Sequence, residues 1–580
     1  MENKLYYVCK YTPVELLESY GFETERLDPE LDSIECGASM AHPNLCGYGK
    51  SLLQMVEEGQ IDRLFLVNCC DVCRRIYDIL SLSKELEFLY LMDLPHKNGP
   101  AEQKLLQNEL LKLNGYLQER CSRDLDEAKA RELWREAISK HKEGQPVGDY
   151  VVLTGAHGNA SLKEQIERIS ALPVLDDTCT GNRKLRSEQG GDFFADYAEA
   201  LLCQKTPCMR MQFERTERSK GVGSICHSIK FCDYYALQYR ELSHQQEPVL
   251  KIETDCSSQS QGQIKTRLEA FAELIHPQRL RPSARTANTE KHVAGSDSGS
   301  SGCDSPASAD AMLSAKRNKN KPVYVAGIDS GSSSTNAVIL DANQNIVAYS
   351  VLATGAGVDR SGQRALEACL KSAGLREEDL AQIISTGYGR NNLQVSDAAI
   401  TEISCHAKGA RFLYPQTRSV IDIGGQDSKV IVLDEEGKLV NFVMNDKCAA
   451  GTGRFLENMS KTLELSLEEM SALGLDWKKP VSISNTCTVF AESEVVSLIA
   501  NNTDLPDIIH GLNQSVASRT VSLIKAAKAQ PPYIMTGGVS KNTGLVKVLE
   551  KELAEEIYVP REAQICGALG AALFALENLA

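Results

Sequence analysis

The segment VYVAGIDSGSSSTNAVILD, residues 323–341, decides the fold of the second half of this chain. An apolar run leads into Asp329 and a glycine–serine turn, and a second apolar run follows. The pattern therefore predicts a strand, a tight turn and a second strand. SVIDIGGQDSKVIVLD, residues 419–434, repeats this plan around Asp422. The two aspartates are 422 − 329 = 93 residues apart, and such a recurrence predicts two related lobes.

A third glycine turn, MTGGVSKN at residues 535–542, follows another apolar run. One such hairpin alone is usually an ordinary turn, but three in order predict a nucleotide site, because glycine lets the backbone approach a phosphate and hydroxyls can coordinate its oxygens. The candidate phosphate-binding and adenosine-bordering residues are Gly331, Ser332, Ser333, Ser334, Thr335, Gly424, Gly425, Gly537 and Gly538. Asp329 and Asp422 are candidates for organising Mg²⁺ and water, and Gln426 is the third catalytic candidate. The chain has no G-x-x-x-x-G-K-[ST] segment, which excludes a P-loop ATPase.

Two cysteines, Cys448 and Cys487, each stand at the start of a segment that we expect to be helical, CAAGTGRFLE and CTVFAESEVV. A thiolate at a helix start lies among free backbone N–H groups and at the positive end of the helix dipole, which lowers a cysteine pKa and suits an anionic cluster. A cubane iron–sulfur cluster usually takes four thiolates, and one chain offers two, so we expect a two-fold dimer with the cluster on its axis. A pair of buried core thiols is the alternative.

The first half of the chain alternates strand and helix patterns. RLFLVNCCDVC, DYVVLTGAHG and PVLKIETD predict buried strands, and AEQKLLQNELLKLNGYLQERC is one of the helical stretches between them. This alternation is typical of an α/β fold with parallel sheets. Residues 276–321 lack any hydrophobic period and are rich in Ser, Ala, Gly, Pro, Arg and Lys, so we expect a flexible linker between a domain at 1–275 and a domain at 322–580.

Composition narrows the class of protein. The 580 residues are 42% hydrophobic and 24% charged, with a net charge of −15, which argues against binding to nucleic acid or a membrane surface. No apolar run approaches the roughly 20 residues of a membrane helix, and the N-terminus lacks a signal-peptide pattern. We therefore expect a cytoplasmic protein, whose 19 cysteines are core thiols or metal ligands rather than disulfides.

The segments DSGSSSTNAV, STGYGR, DIGGQDSK, NDKCAAGTGRFLE, CTVFAESEV and TGGV resemble the ATP-dependent activators of 2-hydroxyacyl-CoA dehydratases, within the actin-like ATPase superfamily. The resemblance covers about residues 322–580 and implies a duplicated, ribonuclease H-like α/β fold. It implies a homodimer that shares one [4Fe–4S] cluster through Cys448 and Cys487. It also implies ATP and Mg²⁺ as ligands, ferredoxin or flavodoxin as the electron donor, and ATP-driven delivery of a strongly reducing electron to a partner enzyme.

The segments LCGYGK, VNCCDVCRRIYDIL and KFCDYYALQYRELSHQQEPVLKIETDC resemble the 2-hydroxyacyl-CoA dehydratase family, whose members include double-cubane iron–sulfur reductases. This resemblance covers about residues 28–274 and implies a two-lobed α/β domain. The family's cluster ligands map to Cys46, Cys70 and Cys232, and the rival candidates are Cys36, Cys73 and Cys226. The resemblance implies a second iron–sulfur cluster, cubane or double-cubane, in this domain; a docking domain without a cluster is the alternative.

Together these resemblances imply ATP-dependent, low-potential electron transfer. The acceptor is an iron–sulfur centre in the chain's own N-terminal domain or in a separate 2-hydroxyacyl-CoA dehydratase. Two other functions stay open, a small-molecule kinase of the actin-like superfamily and a nucleotide-binding redox sensor.

Overall fold

The computed structural model describes residues 3–276 and 323–579 apart from short internal segments. Those segments are residues 30, 32–34, 43, 84–85, 144–145, 205–207, 209–210, 212–220, 233–234, 236–238, 240–241, 243–246, 255–260, 356, 446–448, 450 and 485–487. Contacts between Cα atoms divide the chain into two compact units, Met1–Ile275 and His276–Ala580. The predicted linker lies outside the described residues from position 277 onward, so its flexibility stays a prediction.

The first unit alternates strands and helices. Its strands are β1 (Lys4–Tyr7), β2 (Glu23–Arg26), β3 (Arg63–Val67), β4 (Phe88–Met92), β5 (Val151–Gly155), β6 (Val174–Thr178), β7 (Gly223–Ile229) and β8 (Val249–Thr254). Its helices are α1 (Val14–Ser19), α2 (Glu35–Ser39), α3 (Gly47–Glu57), α4 (Asp71–Ser83), α5 (Pro100–Cys121), α6 (Glu127–Glu143), α7 (Ala160–Ser170), α8 (Phe193–Leu202) and α9 (Gln261–Ile275).

The described strands of the first unit form two four-stranded sheets, in the orders β2-β1-β3-β4 and β6-β5-β7-β8. Every neighbouring pair is parallel. Successive side chains of β3 point into two different hydrophobic cores. Phe65 and Val67 share one core with side chains of α5 and α8. Leu64 and Leu66 share the other with side chains of α3 and α4. Apolar residues occupy both faces because helices cover both, which is the physical reason the sequence shows an unbroken apolar run. The predicted α/β class with parallel sheets is confirmed.

The second unit also mixes strands and helices. Its strands are β9 (Tyr324–Ser330), β10 (Ser334–Asp341), β11 (Ile346–Ala353), β12 (Leu380–Thr386), β13 (Ala398–Ala399), β14 (Ser419–Ile423), β15 (Ser428–Leu433), β16 (Leu439–Asn445), β17 (Tyr533–Thr536) and β18 (Ile557–Tyr558). Its α-helices are α10 (Val358–Ala373), α11 (Glu402–Leu413), α12 (Gly453–Thr462), α13 (Leu467–Leu473), α14 (Thr488–Ala500), α15 (Leu505–Ala527), α16 (Thr543–Leu553) and α17 (Cys566–Glu577).

Two described sheets of the second unit share one topology, with strand orders β11-β10-β9-β12-β13 and β16-β15-β14-β17-β18. In each sheet the first three strands along the chain form an antiparallel meander, and the last two add in parallel beside the first. The structure thus contains the duplication that the repeated hairpin plan predicts. Both glycine turns occupy the same place, between the first and second strands of their sheets.

Helices α11 and α17 pack closely because small residues line their crossing. A Cβ atom on Gly409 would overlap the carbonyl oxygen of Cys566, and one on Gly570 would overlap that of Cys405. Glycine is therefore required at both positions. This contact explains the run of small residues in the last helix, and it fixes α11 where its first turn reaches the residues of β14 and β15 described below.

Composition-based expectations can be compared with the described part of the chain. No helix in that part is both long enough and apolar enough to cross a lipid bilayer. The described cysteines carry free thiols. Cys405 and Cys566 are fully buried.

Candidate active site and cysteine centre

The two predicted phosphate loops are tight turns at the carboxyl ends of β9 and β14. In the first, the Gly331 N–H donates to the carbonyl of Ser334 over 3.0 Å. In the second, the Gly424 N–H donates to the carbonyl of Asp427 over 2.9 Å. Because antiparallel partners follow at once, each loop is fixed at both ends by a strand ladder.

These two loops contact each other. A Cβ atom on Gly425 would overlap the Ser333 hydroxyl oxygen and would lie 3.6 Å from that of Ser332. The hydroxyl oxygens of Ser330 and Ser333 are buried and find no hydrogen-bond partner among the described atoms. Buried hydroxyls without partners are costly unless a ligand satisfies them, and phosphate oxygens are suitable acceptors. Ser330 was not among the residues predicted from the sequence.

Thr335 sits behind the first loop. Its hydroxyl lies 3.0 Å from that of Thr354 and donates to Ser361 over 3.1 Å, and the Thr354 hydroxyl donates to the Gly331 carbonyl over 2.7 Å. The structure therefore gives Thr335 a clear role in holding the hairpin. Contact of Ser334 and Thr335 with a phosphate stays a prediction.

Asp422 is buried in a network of hydrogen bonds and charges. Its Oδ1 accepts a hydrogen bond from the Thr536 hydroxyl over 2.8 Å and lies 3.3 Å from His406 Nδ1. Its Oδ2 accepts from Lys429 Nζ over 3.2 Å. Burial alone would raise the pKa of Asp422, but His406 and Lys429 outweigh it and hold the pKa below its ordinary value. The carboxylate is therefore ionised near neutral pH.

Asp329 approaches the same imidazole from the first sheet, with Oδ2 3.9 Å from His406 Nε2. Burial raises the pKa of Asp329, and His406 and Lys429 oppose that shift only in part. A Cβ atom on Gly567 would collide with both Asp329 and His406, so the small-residue start of α17 leaves room for this contact. His406 thus stands between the two aspartates that the sequence singled out.

Lys429 and Glu402 complete the centre. Lys429 Nζ lies 2.9 Å from Asp427 and 3.6 Å from Glu402, in addition to its bond to Asp422. Burial raises the pKa of Glu402 to about 7, against the opposing charge of Lys429. Among the described residues of this centre, four carboxyl groups face one lysine and one imidazole. Such an excess of buried acid is suited to a divalent cation, which prefers oxygen ligands.

The third glycine loop borders the same carboxylate. Gly537 has φ of 84°, and a Cβ atom there would lie 2.9 Å from Asp422 Oδ1, so only glycine fits without strain. A Cβ atom on Gly538 would meet nothing within 4 Å. Gln426 is exposed at the tip of its loop. The structure therefore gathers the three predicted loops of the second unit around one centre.

The second phosphate loop is also bonded to the segment that follows Cys448. The N–H groups of Gly453 and Arg454 donate to the carbonyls of Gly424 and Gly425, each over 2.8 Å. The buried Ser428 hydroxyl donates to the Gly451 carbonyl over 2.7 Å. Helix α12 begins at Gly453 rather than at Cys448, and Gly451, just before its N-cap residue, has φ of 96°.

Cys448 and Cys487 themselves lie outside the described residues, so their ligation stays a prediction. Helix α14 begins at Thr488, directly after Cys487, as the sequence predicts. This helix is rich in apolar residues, but its buried side chains are only Ala491 and Val495 among those described. Four large apolar side chains of α14 are exposed: Val489, Phe490, Val496 and Ile499.

The first unit holds a group of thiols. The sulfur atoms of Cys69, Cys70 and Cys73 all lie within 4.8 Å of one another, between β3 and the first turn of α4. Hydrogen bonds with Cys69 and Cys73 hold the pKa of Cys70 well below its ordinary value, whereas the bonds to Cys70 and burial raise the pKa of Cys69 and of Cys73 well above it. A bond from Cys69 likewise lowers the pKa of Cys9. Thiolates are the form that binds metal, so this group has the right donors for iron or zinc.

The three predicted ligands of the first unit lie in one region. Cys46 is the N-cap residue of α3, Cys70 directly precedes α4, and Cys232 follows β7. Burial raises the pKa of Cys46 to about 11 and that of Cys232 to about 12, and the charge of Cys70 adds to both shifts. Ligation by these three thiols stays a prediction, although the fold brings them together.

The rival ligands are placed differently. Cys73 belongs to the same group, whereas Cys226 is fully buried within β7. The side chain of Cys36 lies outside the described part. Further cysteines outside the predicted ligand set surround the predicted ones: Cys9, Cys69, Cys179 and Cys208.

His157 lies beside this group of thiols. Its ring stacks on Tyr48 with centroids 3.5 Å apart, and Nδ1 has no hydrogen-bond partner among the described atoms. Burial lowers the pKa of His157 to about 3, although the charge of Cys70 opposes the shift. The imidazole is therefore neutral near pH 7.

Comparison with known proteins relates each unit to a family. Residues 326–575 match the BadF/BadG/BcrA/BcrD ATPase family. The 2-hydroxyisocaproyl-CoA dehydratase activator of Clostridioides difficile is 46% identical over 245 residues, which are 42% of this chain and 92% of that protein. This chain belongs to that ATPase family. We refer to its second unit as the ATPase unit.

A second relative and a solved structure are also similar to the ATPase unit. The (R)-2-hydroxyglutaryl-CoA dehydratase activating ATPase of Acidaminococcus fermentans is 47% identical over 248 residues, 43% of this chain and 95% of that protein. The crystal structure of component A of the same organism's dehydratase aligns at 46% identity with a TM-score of 0.43, over 44% of this chain and 98% of that one.

The first unit matches a different family, the D-component of 2-hydroxyglutaryl-CoA dehydratase, over residues 9–145 and 135–275. The resemblances found in the sequence are thereby confirmed, and the chain is a fusion of the two family domains. We refer to its first unit as the dehydratase-like unit.

Three residues of the ATPase unit's centre were missed from the sequence: Glu402, His406 and Lys429. Ser330 and Asp427 lie in the two predicted loops but were not named as site residues. Asp427 and Lys429 belong to the DIGGQDSK motif itself, and a charged pair so close to a glycine loop was a usable signal. Glu402 and His406 lie one turn apart on α11, a spacing that places both on one helix face. Their contacts with Lys429 and Asp422 could be recognised only in the folded structure, because no sequence motif marks that helix.

Proposed function

We propose that this chain couples ATP hydrolysis to the transfer of a low-potential electron to an iron–sulfur acceptor. The single observation that carries this proposal is the pair of backbone hydrogen bonds from Gly453 and Arg454 to Gly424 and Gly425. They join the loop with phosphate-binding chemistry to the first two residues of α12, the helix that follows Cys448 in the chain. A change at the loop would thus reach, through two direct bonds, the start of α12, five residues after the proposed cluster ligand Cys448.

ATP would bind with its phosphates between the two facing loops. The unpartnered hydroxyls of Ser330 and Ser333 and the backbone of Gly424 and Gly425 fit phosphate oxygens. Mg²⁺ would be held near Asp329 and Asp422, where the excess of acidic groups needs a counter-charge. Gln426, at the exposed tip, would position water. Catalysis in such a site consists of positioning and charge stabilisation.

A [4Fe–4S] cluster would be held by Cys448 and Cys487 from each of two chains, and when bound it would supply one-electron chemistry at low potential. The apolar residues exposed on α14 support a homodimer, because the helix that follows Cys487 has a surface suited to burial against a second copy. Small side chains between them, Ser493, Ser497 and Ala500, would allow two such helices to approach closely.

The dehydratase-like unit is the proposed acceptor. Its group of thiols fits an iron–sulfur centre, and a cubane needs four ligands while a double cubane needs more. Cys46, Cys70 and Cys232 are the proposed ligands, with Cys9, Cys69 and Cys73 close enough to take part. A separate 2-hydroxyacyl-CoA dehydratase is the other proposed acceptor, and ferredoxin or flavodoxin is the proposed donor.

The proposed linker between the two domains would make their fusion useful for electron transfer. A flexible linker at 276–321 would keep donor and acceptor at high local concentration while allowing them to dock and separate. Electron delivery in a protein cut within the linker would then slow on dilution, whereas delivery in the intact chain would not.

The test is anaerobic purification followed by measurement of iron, acid-labile sulfide, subunit number and ATPase rate. We expect a brown dimer that hydrolyses ATP and loses the shared cluster in Cys448→Ala and Cys487→Ala. Cys303→Ala, in the predicted linker, is the matched control and keeps its iron. Colourless wild-type protein would contradict the proposal. A small-molecule kinase would retain full activity in both cysteine variants, and a redox sensor would bind ATP without turnover.

A further inference from the structure

Lys429 of the ATPase unit is surrounded by three carboxylates from three places in the chain. Its Nζ lies 2.9 Å from Asp427 in the loop, 3.2 Å from Asp422 on β14 and 3.6 Å from Glu402 at the start of α11. Lys429 is the cross-strand partner of Asp422 in the β14–β15 ladder. Its position is therefore fixed by the sheet as well as by charge.

The ammonium is well removed from solvent. The Lys429 side chain is 4% exposed, and those of Asp422 and Glu402 are 3% and 8% exposed. One carboxylate oxygen of Glu402, Oε1, is buried and finds no hydrogen-bond partner among the described atoms. Burial alone would lower the pKa of Lys429, yet Asp427, Glu402 and Asp422 together hold it well above its ordinary value. The three surrounding carboxyl groups therefore favour the charged ammonium.

The geometry of this cage fits a monovalent cation. Nitrogen–oxygen distances of 2.9–3.6 Å are too long for Mg²⁺, which binds oxygen at about 2.1 Å and keeps part of its water. Ammonium and K⁺ are nearly equal in size and would fit the same three carboxylates. Removing the positive charge would leave the buried Asp422 and Asp427 carboxylates beside the Glu402 carboxyl group without a counter-charge, which is strongly unfavourable.

We propose that Lys429 is a positioning residue that serves as a built-in monovalent cation, orienting Asp422 and Asp427 for the metal–nucleotide complex. A tethered ammonium needs no capture from solution, so the site is pre-organised. Two consequences follow: hydrolysis by the natural chain is independent of K⁺, and a chain without this ammonium becomes dependent on a small cation from solution. The inference rests on the proposed ATP-hydrolysing function of the same site.

The experiment compares ATPase rates of the full chain under anaerobic conditions, at constant ionic strength, in K⁺, ammonium, methylammonium or tetramethylammonium chloride. The wild type should be equally active in all four salts. Lys429→Ala should lose roughly 100-fold in kcat, and K⁺ or ammonium should restore about tenfold while tetramethylammonium restores nothing. Lys429→Met, whose side chain fills the space without charge, should stay inactive in every salt. Lys547→Ala, on the exposed face of α16, is the matched control and should behave as the wild type.

Each outcome of this experiment supports or overturns the inference about Lys429. Wild-type hydrolysis that requires K⁺ overturns the inference without use of any variant, so a failure of Lys429→Ala to fold does not leave it untested. The inference is also overturned if Lys429→Ala folds but no cation restores its ATPase rate. It is overturned as well if K⁺ or ammonium restores Lys429→Met as much as Lys429→Ala. A merely structural lysine would give those results. Wild-type protein without any ATPase activity would instead contradict the proposed function.

Discussion

The two centres of this chain are built in opposite ways. In the ATPase unit, Asp422, Asp427 and Lys429 come from one hairpin, and a neighbouring helix adds Glu402 and His406. In the dehydratase-like unit, the thiols come from separate loops that follow or precede β1, α3, β3, β6 and β7. The first centre is acidic and rich in oxygen ligands, and the second is rich in sulfur.

This difference separates two kinds of chemistry. Oxygen ligands and buried charge suit phosphate and Mg²⁺, whereas thiolates suit iron and its clusters. A fusion of the two therefore contains a site suited to nucleotide and a site suited to electron transfer. Variants that disable one centre and leave the other intact test whether nucleotide chemistry and iron binding belong to separate centres.

The largest effect is expected for Asp422→Asn. The amide keeps the shape but removes the charge that faces His406, Lys429 and the proposed Mg²⁺, so kcat for ATP should fall roughly 1,000-fold. Iron bound by the dehydratase-like unit should not change. Asp476→Asn, at an exposed position, is the control. Retention of more than about a tenth of the rate would show that Asp422 is not at the reacting centre.

Gly425→Ala should have the next largest effect. Its new methyl group would meet the Ser333 hydroxyl and push the two loops apart. We expect kcat/KM for ATP to fall roughly 10- to 100-fold, mainly through KM, because misplacement by even an ångström weakens phosphate contacts. Gly357→Ala, where the added Cβ meets only ordinary contacts at 3.8 Å, is the matched control. Equal KM values for both variants would argue against a shared phosphate site.

Much of the ATPase unit could be predicted from the sequence because its signals are local. The hairpins around Asp329 and Asp422 each carry their own turn, strands and loop chemistry within about 20 residues. The cross-strand pairing of Asn336 with Asp329, and of Lys429 with Asp422, then follows from the length of each turn. Glu402 and His406 escaped prediction since their role arises only when α11, packed on α17, meets β14.

The dehydratase-like unit was harder to predict at the level of its site. Its strands were recognisable as apolar runs, but sulfur atoms from distant segments converge only in the folded chain. Cys9 illustrates this, because nothing in VCKYTP marks it, yet it bonds to Cys69. Adjacent thiols in NCCDVC also leave the sequence unable to choose among Cys69, Cys70 and Cys73.

Cys70→Ser should produce a smaller, selective change. We expect a loss of roughly four iron atoms per chain, since a thiolate is replaced by a weaker ligand, with the ATPase rate within about twofold of wild type. Cys203→Ser, at the C-cap position of α8, where the thiol accepts a hydrogen bond from Gln103, is the control and should keep its iron. Full iron content in Cys70→Ser would show that Cys70 is not a ligand and that another cysteine binds the iron.

The smallest expected effect concerns Glu402→Gln and pH. The Glu402 carboxyl keeps its proton to about pH 7 in the folded chain, whereas the ordinary pKa is 4.5. Folded protein therefore binds more protons than unfolded protein between these values, so this group makes stability fall as pH rises. Glu402→Gln lacks that titration. Its stability relative to wild type should rise by on the order of 1 kcal/mol between pH 4.5 and pH 7.

Urea unfolding, followed by the fluorescence of Trp477 in the ATPase unit, would measure this difference in a Trp134→Phe background. A stability difference between Glu402→Gln and the wild-type residue that is constant across this pH range would contradict the assignment. Glu436→Gln, in the turn between β15 and β16, gives the reference for an exposed carboxylate.

Electron paramagnetic resonance of the dithionite-reduced, oxygen-free chain, recorded before and after addition of Mg²⁺ and ATP, tests the coupling of nucleotide and cluster. We predict an iron–sulfur signal that changes when the nucleotide is added, and loss of the nucleotide-sensitive part in Cys448→Ala. A spectrum unchanged by ATP, or identical in wild type and Cys448→Ala, would contradict the proposed link between the phosphate loop and the cluster.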